Sequence, residues 1–391
     1  MEKIPVTVIG GGVVGLAVAR ELSRRGVGGV FLFEKNLFLG DEQSGRNSCV
    51  LHAGVYYQPG SLKSMLCVKG NAMIYDYCRA RGIAAFNTGK MIVAVNEEKD
   101  RMIDLYLERC AANGVKGARK ILSDEIKKLE PNVAAVSALY VPSTGILDVP
   151  EYVKNLARDA EESGAGIIKG AKVVRIEPLS RRGGGFIVGT EGTGGATGEE
   201  FETEKIINAA GLYSDEIAAM INPDNKYKIV PLRGEYYRYD SSRREDIKLN
   251  GMCVYQVQEP FVIDGKKYLG IGIHLTPTLE PLPDGKRRIG RYVSVGPTSI
   301  PVKDKHDLES GRKDAGFFYD DVKRFFPNIR RDDLEMDYAG NRAKLKDYDD
   351  FIIKSDDRYP MSVVHLIGID SPGLTSSLAI AEYVADNFFE S

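Results

Sequence analysis

The sequence predicts an α/β protein in which a discontinuous dinucleotide-binding domain carries an inserted α+β domain with a mostly antiparallel sheet. A strand, a glycine-rich turn, a helix and a second strand follow one another within residues 6–33. A second strand–helix unit occurs only at the end of the chain, at 365–388. Because no further βα repeats follow the first unit, we expect one sheet to be built from both ends of the sequence.

Composition and charge indicate a globular protein that acts on small molecules. The chain has 391 residues, of which 43% are hydrophobic and 28% charged, which suggests two domains. Its 53 basic and 55 acidic residues are interspersed and give a net charge of -2. Such a surface has no strong positive electrostatic potential that would attract nucleic acid or an anionic bilayer. We therefore expect no nucleic-acid partner.

The cysteines and the apolar runs of the sequence predict the cellular compartment of the protein. The five cysteines form no C-x-x-C pair and have no metal-ligand spacing, which predicts reduced thiols, a cytoplasmic protein and no metal. The apolar run at 6–19 resembles a signal peptide, but its glycine pattern fits a dinucleotide fold better. No apolar run reaches the roughly 18 to 20 residues that span a bilayer. Peripheral contact with the inner face of a membrane stays open.

The first βαβ unit carries a nucleotide-binding pattern. Its predicted elements are a strand, a helix and a strand at Val6–Ile9, Val13–Arg25 and Val30–Phe33. Residues 10–15 fit G-x-G-x-x-G at the start of the helix, where backbone N–H groups and the helix dipole can face a pyrophosphate. Glu34 follows 19 residues after Gly15, where a carboxylate can accept hydrogen bonds from a ribose diol. A carboxylate there disfavours the 2′-phosphate of NADP.

The C-terminal unit favours FAD over NAD. A Gly-x-x-Ser-Pro-Gly segment at 368–373 leads into a predicted helix at Ser376–Phe388. The start of this helix would direct partial positive charge towards the edge of the sheet, and a reduced flavin develops negative charge around N1 and the C2 carbonyl. A third cofactor element, at 206–212, is a strand that ends in small residues. Together these elements predict a Rossmann-like FAD-binding domain.

The remaining elements set the domain boundaries. We predict helices at Leu62–Arg81 and Tyr152–Ser163, strands at Gly166–Lys169 and Lys172–Ile176, and a hairpin excursion at Arg181–Glu200. Residues 1–85, 145–225 and 335–391 are assigned to the FAD-binding domain, and 86–144 and 226–334 to the substrate domain.

The stretch Ser44–Asn71, SGRNSCVLHAGVYYQPGSLKSMLCVKGN, resembles the signature of L-2-hydroxyglutarate dehydrogenases and oxidases, a branch of the D-amino-acid-oxidase-like flavoproteins. Similar blocks follow in the same order, namely INAAGLYSDEIA at 207–218, PLRGEYY at 231–237, HLTPTL at 274–279, YAGNRAKL at 338–345 and IGIDSPGLTSSLAIAEYVA at 367–385. The resemblance covers most of the chain. It departs at Tyr255–Gln258 and at 280–290, which both lie in the predicted substrate domain.

The resemblance implies an FAD-dependent enzyme that oxidises a small L-2-hydroxy acid, with L-2-hydroxyglutarate and 2-oxoglutarate as the expected pair. A hydride would pass from C2 to the flavin N5, and the electrons would then go to a quinone, another carrier or oxygen. The motifs and the resemblance place these residues around FAD: Gly10, Gly12, Val13, Val14, Gly15, Glu34, Lys35, Ser44, Arg46, Asn47, Ser48, Val173, Ala209, Ala210, Gly211, Gly368, Ser371, Pro372, Gly373, Leu374 and Thr375.

Histidines are the candidates for the base that takes the hydroxyl proton. Of the four, His306 lies in a polar run and His365 begins a predicted strand, which leaves His52 and His274. His52 follows an apolar pair, so burial could lower its pKa; it is assigned to catalysis or flavin contact, against a hydrogen-bonded core histidine. His274 either orients the substrate or is satisfied by nearby threonines. Covalent attachment of FAD to His52 stays open.

Substrate contacts are assigned by motif context. Arg342 matches the arginine that such flavoproteins direct at the substrate carboxylate, a role suited to a bidentate guanidinium. Arg233 either serves the same carboxylate or pins a turn. The predicted hydroxyl donors to the substrate are Tyr57, Tyr237 and Tyr255. Two other functions stay open: oxidation of an amine such as glycine, sarcosine or a D-amino acid on the same fold, and a non-catalytic flavin-binding role.

Overall fold

The computed structural model describes residues 2–179, 184–193, 198–258, 260–263, 266–269 and 272–389. The chain divides into two compact units, each assembled from separate segments of the sequence. Unit 1 comprises 1–45, 149–231 and 342–391, and unit 2 comprises 46–148 and 232–341.

The helices and strands are numbered in chain order. The helices are α1 Val13–Arg24, α2 Leu62–Arg81, α3 Glu97–Asn113, α4 Ser123–Leu129, α5 Val149–Glu162, α6 Ser214–Ile221, α7 Ala315–Val322 and α8 Gly373–Phe388. The strands are β1 Glu2–Ile9, β2 Val30–Glu34, β3 Val50–Leu51, β4 Ala85–Phe86, β5 Lys90–Ala94, β6 Arg119–Leu122, β7 Ser137–Val141, β8 Gly145–Leu147, β9 Gly166–Lys169, β10 Ala171–Pro178, β11 Phe186–Gly192, β12 Glu200–Asn208, β13 Ile229–Asp240, β14 Cys253–Gln256, β15 Pro260–Ile263, β16 Lys266–Leu269, β17 His274–Pro281, β18 Arg287–Gly296, β19 Ile300–Pro301, β20 Glu335–Leu345, β21 Ile352–Ser355 and β22 Val363–Ile367.

Unit 1 is a parallel sheet covered by helices. The parallel order is β9–β2–β1–β12–β22, so strands from the start, middle and end of the chain lie side by side. Strands β10, β11 and β21 extend the sheet in antiparallel pairings. Helix α1 packs against both α5 and α8. This topology brings the carboxyl ends of β1, β2, β12 and β22 to one edge, where ligands bind in open α/β sheets.

Unit 2 is built on a sheet ordered β19–β13–β18–β17–β14–β5–β7–β6, with β20 beside β13. Along this order the pairings are antiparallel except for the parallel pair of β14 and β5. One apolar cluster joins the sheet to α7 through residues such as Tyr239, Val295 and Phe318. Another joins it to α3 through residues such as Ile92 and Tyr106. The predicted architecture, an α/β domain built from both ends of the chain with an inserted α+β domain, is confirmed.

The division into units differs from the predicted boundaries mainly at 46–85. These residues were expected in the cofactor domain but lie in unit 2. The physical reason is packing: Val50 and Val55 are buried in the apolar cluster that contains Ile92 and Tyr106, and α2 packs against α3. Residues 145–148 and 335–341, also expected in the cofactor domain, lie in unit 2, whereas 226–231 lie in unit 1.

The predicted local elements agree well with the structure. Helix α2 has the predicted bounds, α5 begins three residues early at Val149, and α8 begins at Gly373 rather than Ser376. Strands β11 and β12 form the antiparallel pair predicted around 181–200, although 180–183 and 194–197 lie outside the described residues. Among the residues described, none of the helices combines the length and apolarity that crossing a membrane requires.

Candidate functional site

The glycine-rich turn of unit 1 requires glycine for steric reasons. Gly10 has φ +115°, which residues with a side chain rarely adopt. A Cβ at Gly10 would also collide with the carbonyl of Ala209, and one at Gly15 would collide with the carbonyl oxygen of Gly10. The turn therefore lies directly against the end of β12 and the first turn of α1, with its backbone N–H groups at the helix start.

The start of α1 is suited to an anion. Its N-cap residue, Gly12, has no side chain to cap the helix, and the first turn contains no acidic residue. Ser44 Oγ accepts the N–H of Val13 at 3.0 Å, which fixes the 44–45 segment beside the helix start. Helix N-termini carry partial positive charge and unpaired N–H groups, so this end can bind a pyrophosphate.

Glu34 lies at the end of β2, with 8% of its surface exposed. Its two carboxylate oxygens accept the N–H groups of Gly11 at 2.7 Å and Asn36 at 2.8 Å. Burial raises the pKa of Glu34, while these two N–H groups oppose the rise by stabilising the carboxylate. Each oxygen keeps acceptor capacity, so a ribose diol can hydrogen-bond here.

A second uncapped helix start lies at the end of β22. Helix α8 begins at Gly373 after Pro372, without a side-chain cap and without an acidic residue in its first turn. Gly368 has φ +70°, and Gln43 donates to the carbonyl of Ile369 at 3.1 Å. Leu374 and Thr375 lie in the first turn of α8, where Thr375 is fully buried.

Unit 1 thus brings together most of the residues predicted to bind FAD. Ala209 donates to the carbonyl of Ile9 at 3.0 Å, which holds 209–211 beside the glycine turn. Lys35 pairs with Glu42 and covers the ring of Tyr213. The residues at this edge of unit 1 fit a dinucleotide. They provide backbone N–H groups and one carboxylate, and their small side chains let a ligand approach the backbone closely.

Four predicted cofactor residues lie elsewhere. Arg46, Asn47 and Ser48 belong to unit 2, where Asn47 accepts the N–H of Cys49 at 2.8 Å and its carbonyl accepts the Tyr338 hydroxyl at 2.7 Å. Val173 lies in β10 beside a register irregularity between residues 173 and 175. Their roles towards FAD stay predictions.

Unit 2 contains a polar cluster that we call the Lys90 cluster: His52, Tyr56, Lys90, Tyr255 and His274. Lys90 Nζ lies 4.6 Å from the ring centroid of Tyr255 and 4.9 Å from that of Tyr56. Tyr255 stacks on His274 with ring centroids 3.6 Å apart and planes inclined by 16°. The structure therefore brings His274 and Tyr255 into contact and joins them to Lys90.

His52 is coupled to the cluster through the charge of Lys90. Burial, followed by the positive charge of Lys90, lowers the pKa of His52 to about 3. Its imidazole is therefore neutral at physiological pH. The His52 carbonyl accepts the Asn71 side chain at 3.0 Å, so α2 fixes this segment. His274 is 2% exposed, and its Nδ1 lies 3.1 Å from the carbonyl of Gly272.

The contacts of Arg233 favour a structural role in holding a turn over a role in binding the substrate carboxylate. Its side chain is 1% exposed and pairs with Glu235 at 2.8 Å and Asp307 at 3.1 Å. It also donates to the carbonyl of Ser310 at 2.6 Å. These bonds hold the 307–310 loop against β13. Arg233 therefore makes the contacts of a structural residue.

Tyr237 has packing contacts as well. Its hydroxyl donates to the carbonyl of Lys313 at 3.1 Å, and its ring lies against Phe318 with centroids 4.5 Å apart. The side chain belongs to the apolar cluster that joins the sheet to α7. A substrate contact for Tyr237 has no support from this geometry.

The remaining candidate residues and the other two histidines differ in their burial and contacts. Arg342 lies in β20 and is half-buried, and Tyr57 is half-buried after β3. His306 is exposed. His365 is fully buried, with Asn208 Nδ2 3.2 Å from its Nδ1 and Asp356 Oδ2 3.0 Å from its Nε2, which favours a structural role.

Lys90 and Tyr56 were not predicted as site residues from the sequence. Lys90 begins the apolar strand KMIVA, and a charged residue at a strand end is ordinarily solvated. The available signal is the period of two in a strand, because Lys90 shares one face with Ile92 and Ala94. Both of those residues are buried in the cluster that contains Tyr255. Because all the other residues of this strand are apolar and buried, both faces of the strand are apolar and Lys90 had to lie on one of them.

Comparison with known proteins agrees with this geometry. The model of the DAO family, described as FAD dependent oxidoreductase, matches residues 5–387. An L-2-hydroxyglutarate dehydrogenase of Indibacter alkaliphilus is 31% identical over 97% of this chain and 98% of its own. A mitochondrial L-2-hydroxyglutarate dehydrogenase of Bos taurus is 33% identical over 98% of this chain and 88% of its own.

A solved structure is similar over the whole chain. It is a dithionite-reduced L-alpha-glycerophosphate oxidase from Mycoplasma pneumoniae with FAD bound. The TM-score is 0.82 and the identity 27%, with 100% of this chain and 96% of that one covered.

Proposed function

The chain belongs to the DAO family of FAD-dependent oxidoreductases, and from this premise we propose that it oxidises L-2-hydroxyglutarate, or a closely similar L-2-hydroxy acid, to the 2-oxo acid. The observation that carries the proposal is the identity of 31% and 33% with two L-2-hydroxyglutarate dehydrogenases over nearly the whole chain. The glycine turn, Glu34 and the starts of α1 and α8 are the groups that would hold FAD.

The chain's own residues supply binding and proton transfer. When bound, FAD would supply the hydride acceptor for the oxidation at C2, where the C2–O bond becomes a carbonyl. We assign the substrate carboxylate next to C2 to Arg342, because a guanidinium can donate two parallel hydrogen bonds. We assign the hydroxyl proton to His52, which is neutral because of burial and the charge of Lys90. His274, stacked on Tyr255, is assigned to substrate orientation.

Anaerobic reduction of the bound flavin by a substrate panel tests this proposal. L-2-hydroxy acids should bleach the flavin, and glycine, sarcosine and D-amino acids should not. Bleaching by the amines alone would replace the proposal with amine oxidation. Bleaching by neither class would support a non-catalytic role.

The same samples test the electron acceptor. After reduction, oxygen or a soluble quinone is added and the return of flavin absorbance is timed. Fast reoxidation by oxygen indicates an oxidase, whereas fast reoxidation only by the quinone indicates a dehydrogenase.

A further inference from the structure

Lys90 is a buried cation. Its side chain is 1% exposed and shares a face of β5 with Ile92 and Ala94. Among the residues that the structure describes, no carboxylate lies within ion-pair distance of its Nζ. Burying an ammonium without a counter-ion is unfavourable unless another group compensates.

The thiols around Lys90 do not supply a negative charge. Cys67, Cys110 and Cys253 interact electrostatically with it. Burial raises the pKa of Cys110 and of Cys253 to about 11 and raises that of Cys67 further. All three are therefore neutral at physiological pH.

The two tyrosines beside Lys90 are also neutral, and their hydroxyls are available as donors. Burial raises the pKa of Tyr56 and of Tyr255 well above the usual value. Both hydroxyl oxygens are buried and make no hydrogen bond of acceptable geometry within the described part of the chain. Tyr255 is fully buried, and its hydroxyl lies near the Thr276 side chain.

Lys90, Tyr56 and Tyr255 therefore combine one positive charge with two unused hydroxyl donors. An ionised carboxylate only accepts hydrogen bonds and carries one negative charge, so it matches this set of donors. We propose that Lys90, together with the hydroxyls of Tyr56 and Tyr255, binds the distal carboxylate of a dicarboxylic 2-hydroxy acid. This inference rests on the proposed function and assigns the residues that would recognise the second carboxylate of its substrate.

A pair of substrates of equal length tests the subsite. L-2-hydroxyvalerate has the carbon chain of L-2-hydroxyglutarate but a methyl group in place of the distal carboxylate. Lys90→Met keeps the length of the side chain and removes its charge. We expect kcat/KM for L-2-hydroxyglutarate to fall roughly 10- to 100-fold more than kcat/KM for L-2-hydroxyvalerate, because only the first substrate loses a charged hydrogen bond, whereas any effect of Lys90 on His52 is common to both.

Lys120→Met is the matched control. Lys120 also lies in unit 2 but pairs at the surface with Asp100 and Asp104, each at 2.9 Å. Its removal should leave the ratio of the two substrates unchanged. An equal loss on both substrates in Lys90→Met would make Lys90 a structural residue and overturn the subsite.

A binding measurement separates the subsite from the proposed reaction. Calorimetric titration of the FAD-loaded enzyme with glutarate and with valerate needs no turnover. Lys90→Met should weaken glutarate binding by roughly 10- to 100-fold and leave valerate binding unchanged. If the parent enzyme oxidises no hydroxy acid but glutarate binding still depends on Lys90, the proposed function fails and the anion subsite stands. If glutarate binding is the same in the parent and Lys90→Met, the subsite is wrong.

Tyr255→Phe decides the case if Lys90→Met fails to fold or to retain FAD. This change removes one hydroxyl and keeps the ring that stacks on His274. We expect a selective loss of glutarate affinity of roughly 10- to 100-fold, as for one hydrogen bond to an ionised group. Unchanged glutarate affinity in Tyr255→Phe would then overturn the proposal.

Discussion

The glycine turn of unit 1 comes from one βαβ unit and acts through backbone N–H groups, whereas the Lys90 cluster of unit 2 joins side chains from distant segments. Residues 10–15 and Glu34 are neighbours in sequence and in space, with Gly11 bonded to Glu34 at 2.7 Å. Lys90 meets Tyr255 only because β5 and β14 pair in parallel. A site made of backbone groups limits the residue types at the positions of the turn itself. A site made of side chains forms only when the whole fold brings distant segments together.

The largest effect should follow from a side chain inside the glycine turn. Gly15→Ala places a Cβ against the carbonyl oxygen of Gly10, so the turn must move and we expect FAD binding to be abolished. Gly28→Ala is the matched control, because a Cβ there meets no atom within 4 Å. FAD content after purification and reconstitution measures both. A yellow Gly15→Ala protein with parental FAD affinity would show that the turn does not position the cofactor.

The next effect concerns the base in the Lys90 cluster. His52→Gln should slow anaerobic flavin reduction by roughly 10² to 10⁴, because glutamine does not accept and hold the proton. His306→Gln, at an exposed position, should leave the rate unchanged. A parental rate in His52→Gln would remove His52 from proton transfer.

The pH profile distinguishes the two histidines. The pKa of His52 is lowered to about 3, so it is neutral and competent above that pH and loses activity only as the pH falls through about 3. Apart from titration of the substrate's own carboxyl groups, kcat/KM should therefore stay level between about pH 7 and pH 5. An acidic limb near the ordinary histidine pKa that disappears in His274→Gln would assign the base to His274 instead.

A smaller effect is expected at the proposed carboxylate clamp. Arg342→Lys should retain FAD but lower kcat/KM roughly 10- to 100-fold, since an ammonium does not reproduce two parallel hydrogen bonds to a carboxylate. Arg358→Lys, an exposed change in the same unit, provides the control. Equal kcat/KM values in Arg342→Lys and the parent would rule out the clamp.

The smallest effect compares helix starts in the two units. Ser44 accepts the Val13 N–H at the start of α1, and Ser61 accepts the Ser64 N–H at the start of α2. Replacement of either serine by alanine should lower the free energy of unfolding by about 1 kcal/mol. Only Ser44→Ala should also weaken FAD binding, by about fivefold. Fluorescence titration with FAD checks this, and equal FAD affinities in the two variants would contradict it.

The sequence predicted unit 1 well because its determinants are local. The glycine spacing, the carboxylate at Glu34 and the small residues after β12 each have a steric or electrostatic reason that is visible within a few residues. The C-terminal unit was identified in the same way, from the Ser-Pro-Gly segment before α8. The structure places residues 46–85 in unit 2 instead, because Val50 and Val55 are buried against residues of β5 and α3, which follow later in the chain.

The candidate site of unit 2 was less accessible from the sequence. His52, His274 and Tyr255 were named because their residue types suit alcohol oxidation, but nothing local indicated that His274 stacks on Tyr255. Arg233 and Tyr237 have suitable chemistry yet are engaged by Asp307 and by the carbonyl of Lys313. Partners so distant in sequence leave no local pattern. Lys90 was overlooked for another reason, because a charged residue at a strand end is ordinarily solvated.

Single-turnover reduction by L-2-hydroxyglutarate deuterated at C2 tests the central claim most directly. The account predicts that deuterium slows flavin reduction and that one 2-oxoglutarate forms for each flavin reduced, because the C2–H bond breaks as the carbonyl forms. Flavin that stays oxidised in the presence of L-2-hydroxyglutarate, or is reduced without formation of 2-oxoglutarate, would contradict the account.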